Sequence, residues 1–350
     1  MVGKAHVRGR GVNVIKFLVF SDFHYKKGMY ASRVSHLEKL MHTAKSENVD
    51  FVVHAGDLCN DYKRSPEIIS AYLSNEYGLS VFGVCGNHEL EAEGNSLEFV
   101  APLLSNRSIN FSSRDDGYWY YDIKGYRLIG LDTNYSYNPE AKTWEHNKAR
   151  SHGAPKGNEK ENSLSPKQIK WLDDILADSE ENNKKVIVFS HVGLCPWWEM
   201  TPDASEARGV IEKYGDLVVL GVSGHIHSDN YKIWKGIPYF NVNATINGCW
   251  SEEKDYHYSD GHMFVYDYFG EAGEYLYSEE ASLNSLIQAK NTWFFDDPLY
   301  AVVEIDDECN VRVTGSKTAW MYGVEPSRLY ENCRPEITGF EVIKNKTAEK

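Results

Sequence analysis

The chain contains no run of about 18 consecutive apolar residues, the least that crosses a bilayer as a helix, so no membrane span is expected. Cysteine is sparse: six residues, at 59, 85, 195, 249, 309 and 333, with no Cys-x-x-Cys pair. That scatter suits neither a disulfide scaffold nor a thiolate zinc site, and reads as mostly buried thiols of a reducing compartment. Positive charge is scarce too. Lys and Arg number 37 against 51 Asp and Glu, a balance of −14 with a pI near 5.4, which leaves no electrostatic footprint for a long nucleic acid. The one basic cluster, Lys4 to Arg10, reads as part of a flexible N-terminus over residues 1–14. Lys16 interrupts the apolar stretch that follows, so this stretch is read as a first strand rather than a secretory leader. A cytoplasmic location is the expectation. Repeats, low-complexity tracts and linker-like segments are also lacking.

What is present is ample apolar material, 42% hydrophobic and 13% aromatic, enough for a substantial core. A single sheet-based domain over 15–350 is expected, with insertions near 134–161 and 250–297. Apolar runs at Lys16–Ser21, Phe51–Ala55 and Val81–Cys85 read as buried strands. Helical spacing over Ala31–Asn48 and a helix opening at Ser65-Pro66 join them, which gives the β-α-β-α-β signature of parallel strands. Gly117–Ile123 and Tyr126–Asp132 around Lys124-Gly125 read as an antiparallel hairpin. Residues 134–161 read as a long polar loop. A helix from Ser165-Pro166, strands at Val186–Ser190 and Leu217–Ser223, and later strands at 239–244, 262–268, 300–305 and 311–314 complete the pattern.

Five short polar clusters follow in order, most at the end of an apolar run: Asp22-Phe-His24, Gly56-Asp57, Gly86-Asn87-His88-Glu89, His191, and Gly224-His225-Ile-His227. Each carries oxygen or imidazole donors that suit hard-to-borderline divalent ions. Placed repeatedly at strand ends, they collect on one rim of a sheet, where open α/β sheets bind what they act on. His225 and His227, at i and i+2, share a face if the backbone is extended.

The set resembles the calcineurin-like metallophosphoesterase superfamily, whose pattern is D-x-H, G-D, G-N-H-D/E, an isolated H, then G-H-x-H. The blocks span residues 22–227, about two-thirds of the chain. The resemblance implies an α/β fold, a four-layer α-β-β-α sandwich with mixed central sheets. It implies a dinuclear centre of Mn, Fe or Zn in which Asp22, His24 and His227 hold one ion, Asn87, His191 and His225 the other, and Asp57 bridges. His88 takes the position that protonates the leaving alkoxide or stabilises the phosphorane. Asn60 fits the Gly-Asp-x-x-Asn variant of some phosphodiesterase branches, in which that side chain, with Asn87 and His88, helps place substrate.

Asp22-x-His24 departs from the purple acid phosphatase pattern, and Leu58-Cys-Asn-Asp61 departs from that of the Ser/Thr protein phosphatases. His191 is followed by Val-Gly-Leu rather than the His-Pro-Pro of many phosphodiesterase-like members. The expectation is a metal-dependent phosphodiesterase on a small phosphorylated organic substrate, with a phosphomonoesterase as the alternative and a non-catalytic scaffold or nuclease behind it. Aromatic segments at Tyr135–His152, Pro196–Trp198 and Trp250–Tyr258 are candidates for a substrate rim. The remaining histidines read as ordinary, although His146 and His152 lie in the loop that could roof the site.

Overall fold

The computed structural model describes residues 14–25, 33–91, 95–112, 116–138, 141–146, 163–196, 204–250, 292–320 and 334–344. In the N-terminal half, strands β1 (Ile15–Phe20), β2 (Phe51–His54) and β3 (Ser80–Gly83) alternate with helices α1 (Val34–Ser46) and α2 (Pro66–Leu73). Short helices α3 (His88–Glu91) and α4 (Leu97–Val100) follow, then β4 (Asn110–Phe111), β5 (Trp119–Ile123) and β6 (Tyr126–Leu131). Strands β7 (Tyr135–Asn138) and β8 (Thr143–His146) lead to α5 (Pro166–Glu181), β9 (Lys185–Ser190), α6 (Ala204–Lys213) and β10 (Val218–Ser223). The remaining strands are β11 (Asn230–Trp234), β12 (Ile237–Asn241), β13 (Asn247–Trp250), β14 (Thr292–Phe294), β15 (Ala301–Ile305), β16 (Val311–Gly315) and β17 (Phe340–Val342).

Two mixed sheets result, β17-β16-β15-β1-β2-β3 and β11-β12-β10-β9-β6-β5-β4. Alternation along the strands sets the layers. Ile187 and Phe189 of β9 join the core shared with β1 to β3, whereas Val186 and Val188 join a second cluster with Leu172 and Leu176 of α5 and Ile211 of α6. Phe17 meets Phe189 edge-on across the sheets at 5.9 Å and stacks on Phe51 at 4.7 Å. On the opposite face of β1, Phe20 packs against Tyr72 of α2 at 5.9 Å. The order is helix, sheet, sheet, helix: the expected α-β-β-α sandwich. Each buried Phe contributes roughly 1.5–3 kcal/mol by leaving water.

The structure amends several expectations. The ligand-bearing strand ends do not share one sheet; β1, β2 and β3 lie in one, β9 and β10 in the other. Residues 134–161 are not loop throughout, because β7 and β8 pair as a hairpin, with Tyr137 against Trp144 at 5.7 Å. Helix α6 has no clear sequence signal, because its buried residues include the small Ala204 and Ala207, which give a faint apolar period. The β1-α1-β2-α2-β3 unit and the β5–β6 hairpin stand as expected. Cys59, Cys85, Cys195 and Cys309 are buried thiols outside any disulfide. The N-terminal stretch 1–13, the strand at 262–268, most of the 250–297 insertion, and Trp197, Trp198 and His152 lie outside the described residues. Among the described residues no helix is long and apolar enough to cross a membrane.

Candidate metal centre

The turns after the parallel strands are held in a backbone conformation that L-residues avoid. Asp22, His24, Asp57, His225 and His227 all have positive φ, between 49° and 74°. Each costs roughly 1–3 kcal/mol and persists because its surroundings over-determine it. Hydrogen bonds from Asp22 N to Gly56 O (3.0 Å) and from His24 N to Asp57 O (2.9 Å) lock the first two turns together. Gly56 has φ +99°, and a Cβ there would lie 2.2 Å from His191 Nδ1. Gly224 passes closely over Ser21 and Asp22: a Cβ there would lie 1.8 Å from Ser21 Oγ and 2.6 Å from Asp22 Oδ2. Only glycine lets these turns meet.

Two groups of donors result. Asp22, His24 and His227 place one donor atom each within 4.8 Å of one another, and so do Asp57, His191 and His225. Asp57 faces both, with Oδ2 3.2 Å from His191 Nε2 and 3.7 Å from His24 Nε2. Asn87 Oδ1 lies 3.2 Å from His191 Nε2. His88 brings a ring nitrogen within 4.8 Å of donors of His24 and Asp57, its ring edge-on to His24 at 4.6 Å. All seven expected ligands and His88 therefore converge.

Outer contacts fix which ring nitrogen faces inward. His24 Nδ1 donates to Asn60 Oδ1 (2.9 Å) and His191 Nδ1 to Ala55 O (2.8 Å), which turns each Nε2 towards the centre. His24 Nε2 then faces His227 Nε2, and His191 Nε2 faces His225 Nδ1, each pair 3.1 Å apart. Opposed imidazole nitrogens beside carboxylates suit an intervening cation. Asp22 Oδ1 adds to the fit, being buried with no hydrogen bond. Its other oxygen accepts from Ser21 Oγ (2.6 Å) and His225 N (2.9 Å).

Electrostatics agree. Burial and the neighbouring His88 push His24 down to about 3, and burial with His191 pushes His225 to about 4, so both rings stay neutral as ligands must. Burial opposes charge on Asp57, yet His191, His88 and His24 hold its carboxyl well below the usual range. Burial likewise opposes an imidazolium at His191, but Asp57 and Asp22 outweigh it and raise that group to about 10. A metal ion competes with that proton for the same negative charge, so metal affinity falls as pH falls.

Glu89 closes the Gly86-Asn87-His88 block, and residue order alone assigns it no role. Its side chain is fully buried and accepts three backbone N–H groups: Gly86 (2.7 Å) and Asp57 (3.0 Å) on Oε2, and Leu58 (2.6 Å) on Oε1. One carboxylate thus pins the Asn87 turn to the Asp57 turn. Burial and the Asp57 charge push it up to about 8, so the three donors and any cation at Asp57 are what favour its ionised form. Glu89→Gln places an amide N–H against one of those donors. We expect a roughly 10- to 100-fold loss of metal affinity, measured by competition with a chelator; unchanged affinity would remove Glu89 from the positioning network.

The model of the calcineurin-like phosphoesterase family matches residues 15–229, and the chain belongs to that family. A manganese-dependent ADP-ribose/CDP-alcohol diphosphatase of Arabidopsis thaliana is 26% identical over 260 residues, 63% of this chain and 77% of that protein. The crystal structure of a dimetal phosphatase from Danio rerio shares the fold with a TM-score of 0.55 at 14% identity, covering 86% of this chain and 95% of that one. The chain is accordingly a metallophosphoesterase, an enzyme that hydrolyses phosphoric esters.

Proposed function

We propose that the enzyme is a phosphodiesterase acting on small organic phosphates, including diphosphate-linked nucleotides, and that manganese serves it. The observation that carries the two-metal part is the pair of donor groups meeting at Asp57 Oδ2. Asp22, His24 and His227 would hold one ion and Asn87, His191 and His225 the other, with the Asp57 carboxylate shared between the two groups. When bound, the ions supply an acidified water and fixed positive charge for phosphoryl oxygens. The neutral carbonyl of Asn87 keeps that charge from being cancelled.

His88 gives its proton to the leaving oxygen. Its backbone N–H donates to Asp57 Oδ1 (2.9 Å), which ties the acid to the bridging carboxylate. Asn60 holds the His24 ring through Oδ1 and helps place the substrate. The acidic balance of −14 disfavours a long nucleic acid as substrate. The printed activity of the Arabidopsis relative, on ADP-ribose and CDP-alcohols, supports the substrate class.

The test uses protein stripped of metal and reloaded with manganese. Its rates on a chromogenic phosphodiester, the matching monoester and ADP-ribose are compared near neutral pH. Preference for the diester and ADP-ribose is expected. Preference for the monoester would move the protein to the phosphatase side of the family.

A further inference from the structure

The rim of the seven-stranded sheet carries one more buried polar group beside the metal ligands. Strands β6, β9 and β10 are neighbours and parallel. β10 leads into the turn of His225 and His227, and β9 leads into His191. β6 pairs with β9 as far as Leu131 opposite Ser190, so the next residue, Asp132, stands beside His191. Adjacent strands lie about 4.8 Å apart.

Asp132 is fully buried. Its Oδ1 accepts from Asn134 N (3.0 Å) and Nδ2 (2.9 Å), and its Oδ2 meets His146 Nε2 at 2.6 Å. The backbone is clamped on both sides by the buried Gln168, which accepts from Asp132 N (2.8 Å) and donates to its carbonyl (2.7 Å). The next two residues reach the ligand turns. Thr133 Oγ1 accepts from Val192 N (3.3 Å), and Asn134 Nδ2 donates to the Cys85 carbonyl (3.0 Å). Asp132 thus sits between the turn that carries Asn87 and the turn that carries His191. His146 arrives from β8, its ring edge-on to Tyr135 at 4.9 Å, and its side chain keeps 13% of its surface exposed.

Packing alone gives no reason for this arrangement. Burying a carboxylate is costly, and a buried ion pair brings little net stability over apolar residues of the same size. An imidazole gripped at one nitrogen by a buried carboxylate is instead oriented to use the other.

We propose that His146, held by Asp132, is a substrate-positioning residue. Its second ring nitrogen, Nδ1, binds an anionic oxygen on the part of the substrate beyond the reacting phosphoryl group, such as the second phosphoryl of a diphosphate-linked nucleotide. In the imidazolium form the ring donates through both nitrogens, Nε2–H to Asp132 and Nδ1–H to the substrate oxygen. This rests on the phosphodiesterase reading above.

The experiment compares kcat/KM for ADP-ribose, which has a second phosphoryl group, with kcat/KM for a chromogenic diester, which has none. Manganese-loaded wild type, His146→Ala and His146→Gln are measured. The ratio of the two constants does not depend on how much protein is folded or metal-loaded. We expect it to fall about 10- to 100-fold in both variants, mainly through KM for ADP-ribose, the size of one charge-assisted hydrogen bond. Asp132→Asn should lower the ratio in the same direction. An unchanged ratio overturns the inference while leaving the phosphodiesterase reading intact. Wild type that turns over neither substrate overturns that reading and this inference with it.

Discussion

Asp57→Asn is expected to lower turnover on the order of 10³-fold or more and to remove the site's capacity for a full pair of ions. The substitution is nearly isosteric, so the effect isolates charge and donor identity. Asp57 Oδ1 already accepts the backbone N–H of His88, so an asparagine keeps its carbonyl there. Its amide then occupies the place of Oδ2, which faces His191 Nε2 at 3.2 Å and His24 Nε2 at 3.7 Å. An N–H group would point where two metals need an anionic oxygen. The same change removes the main charge that keeps His191 protonated in the metal-free protein. Metal analysis after stripping and reloading, with the diesterase rate on the same sample, tests this. Full retention of metal and rate would falsify the bridging assignment.

The second large effect is expected at His88. His88→Ala should cost about 10²–10³-fold in kcat on a substrate with a poor, alkoxide leaving group, and less on an activated aryl diester that departs without help. The backbone bond from His88 N to Asp57 Oδ1 survives the truncation, so the Asp57 carboxylate stays in place. Metal content should therefore remain close to that of the wild type. His88 also lies within reach of the donors of His24 and Asp57, and that proximity leads to a different outcome if the ring is a ligand. In that case metal occupancy falls with the rate, and the dependence on leaving group disappears. Unchanged turnover of the alkyl diester removes His88 from the proton-transfer step altogether.

Both experiments probe features read at very different distances along the chain. The strand ends were legible because each motif is local: an apolar run, then a turn with glycine and a donor, all within a few residues. The β5–β6 hairpin was legible for the same reason, since its turn at Lys124-Gly125 takes positive φ at both positions, 48° and 82°. The β7–β8 hairpin was not. Its strands are four residues each, mostly half-exposed or exposed, with polar positions between Tyr135, Tyr137 and Trp144, so no apolar period marks them. The contacts that orient the ligands were hidden more deeply. Asn60 grips His24 across 36 residues, the Ala55 carbonyl grips His191 across 136, and Asp132 takes His146 only because that hairpin folds back.

The order of residues was enough to name the family and to pick out the side chains that converge, because the chemistry at each strand end is local. It also determined the parallel βαβ start, through hydrophobic spacing that depends only on neighbours. Tertiary structure alone decided that the donors come from two sheets rather than one. It alone decided that Glu89 ties two of the turns together and that Asp132, holding His146, stands beside His191. Strand order, sheet partition and buried hydrogen bonds arise from contacts between residues far apart in the chain. Such pairings follow from which faces can be buried together, and leave no period in the sequence to read.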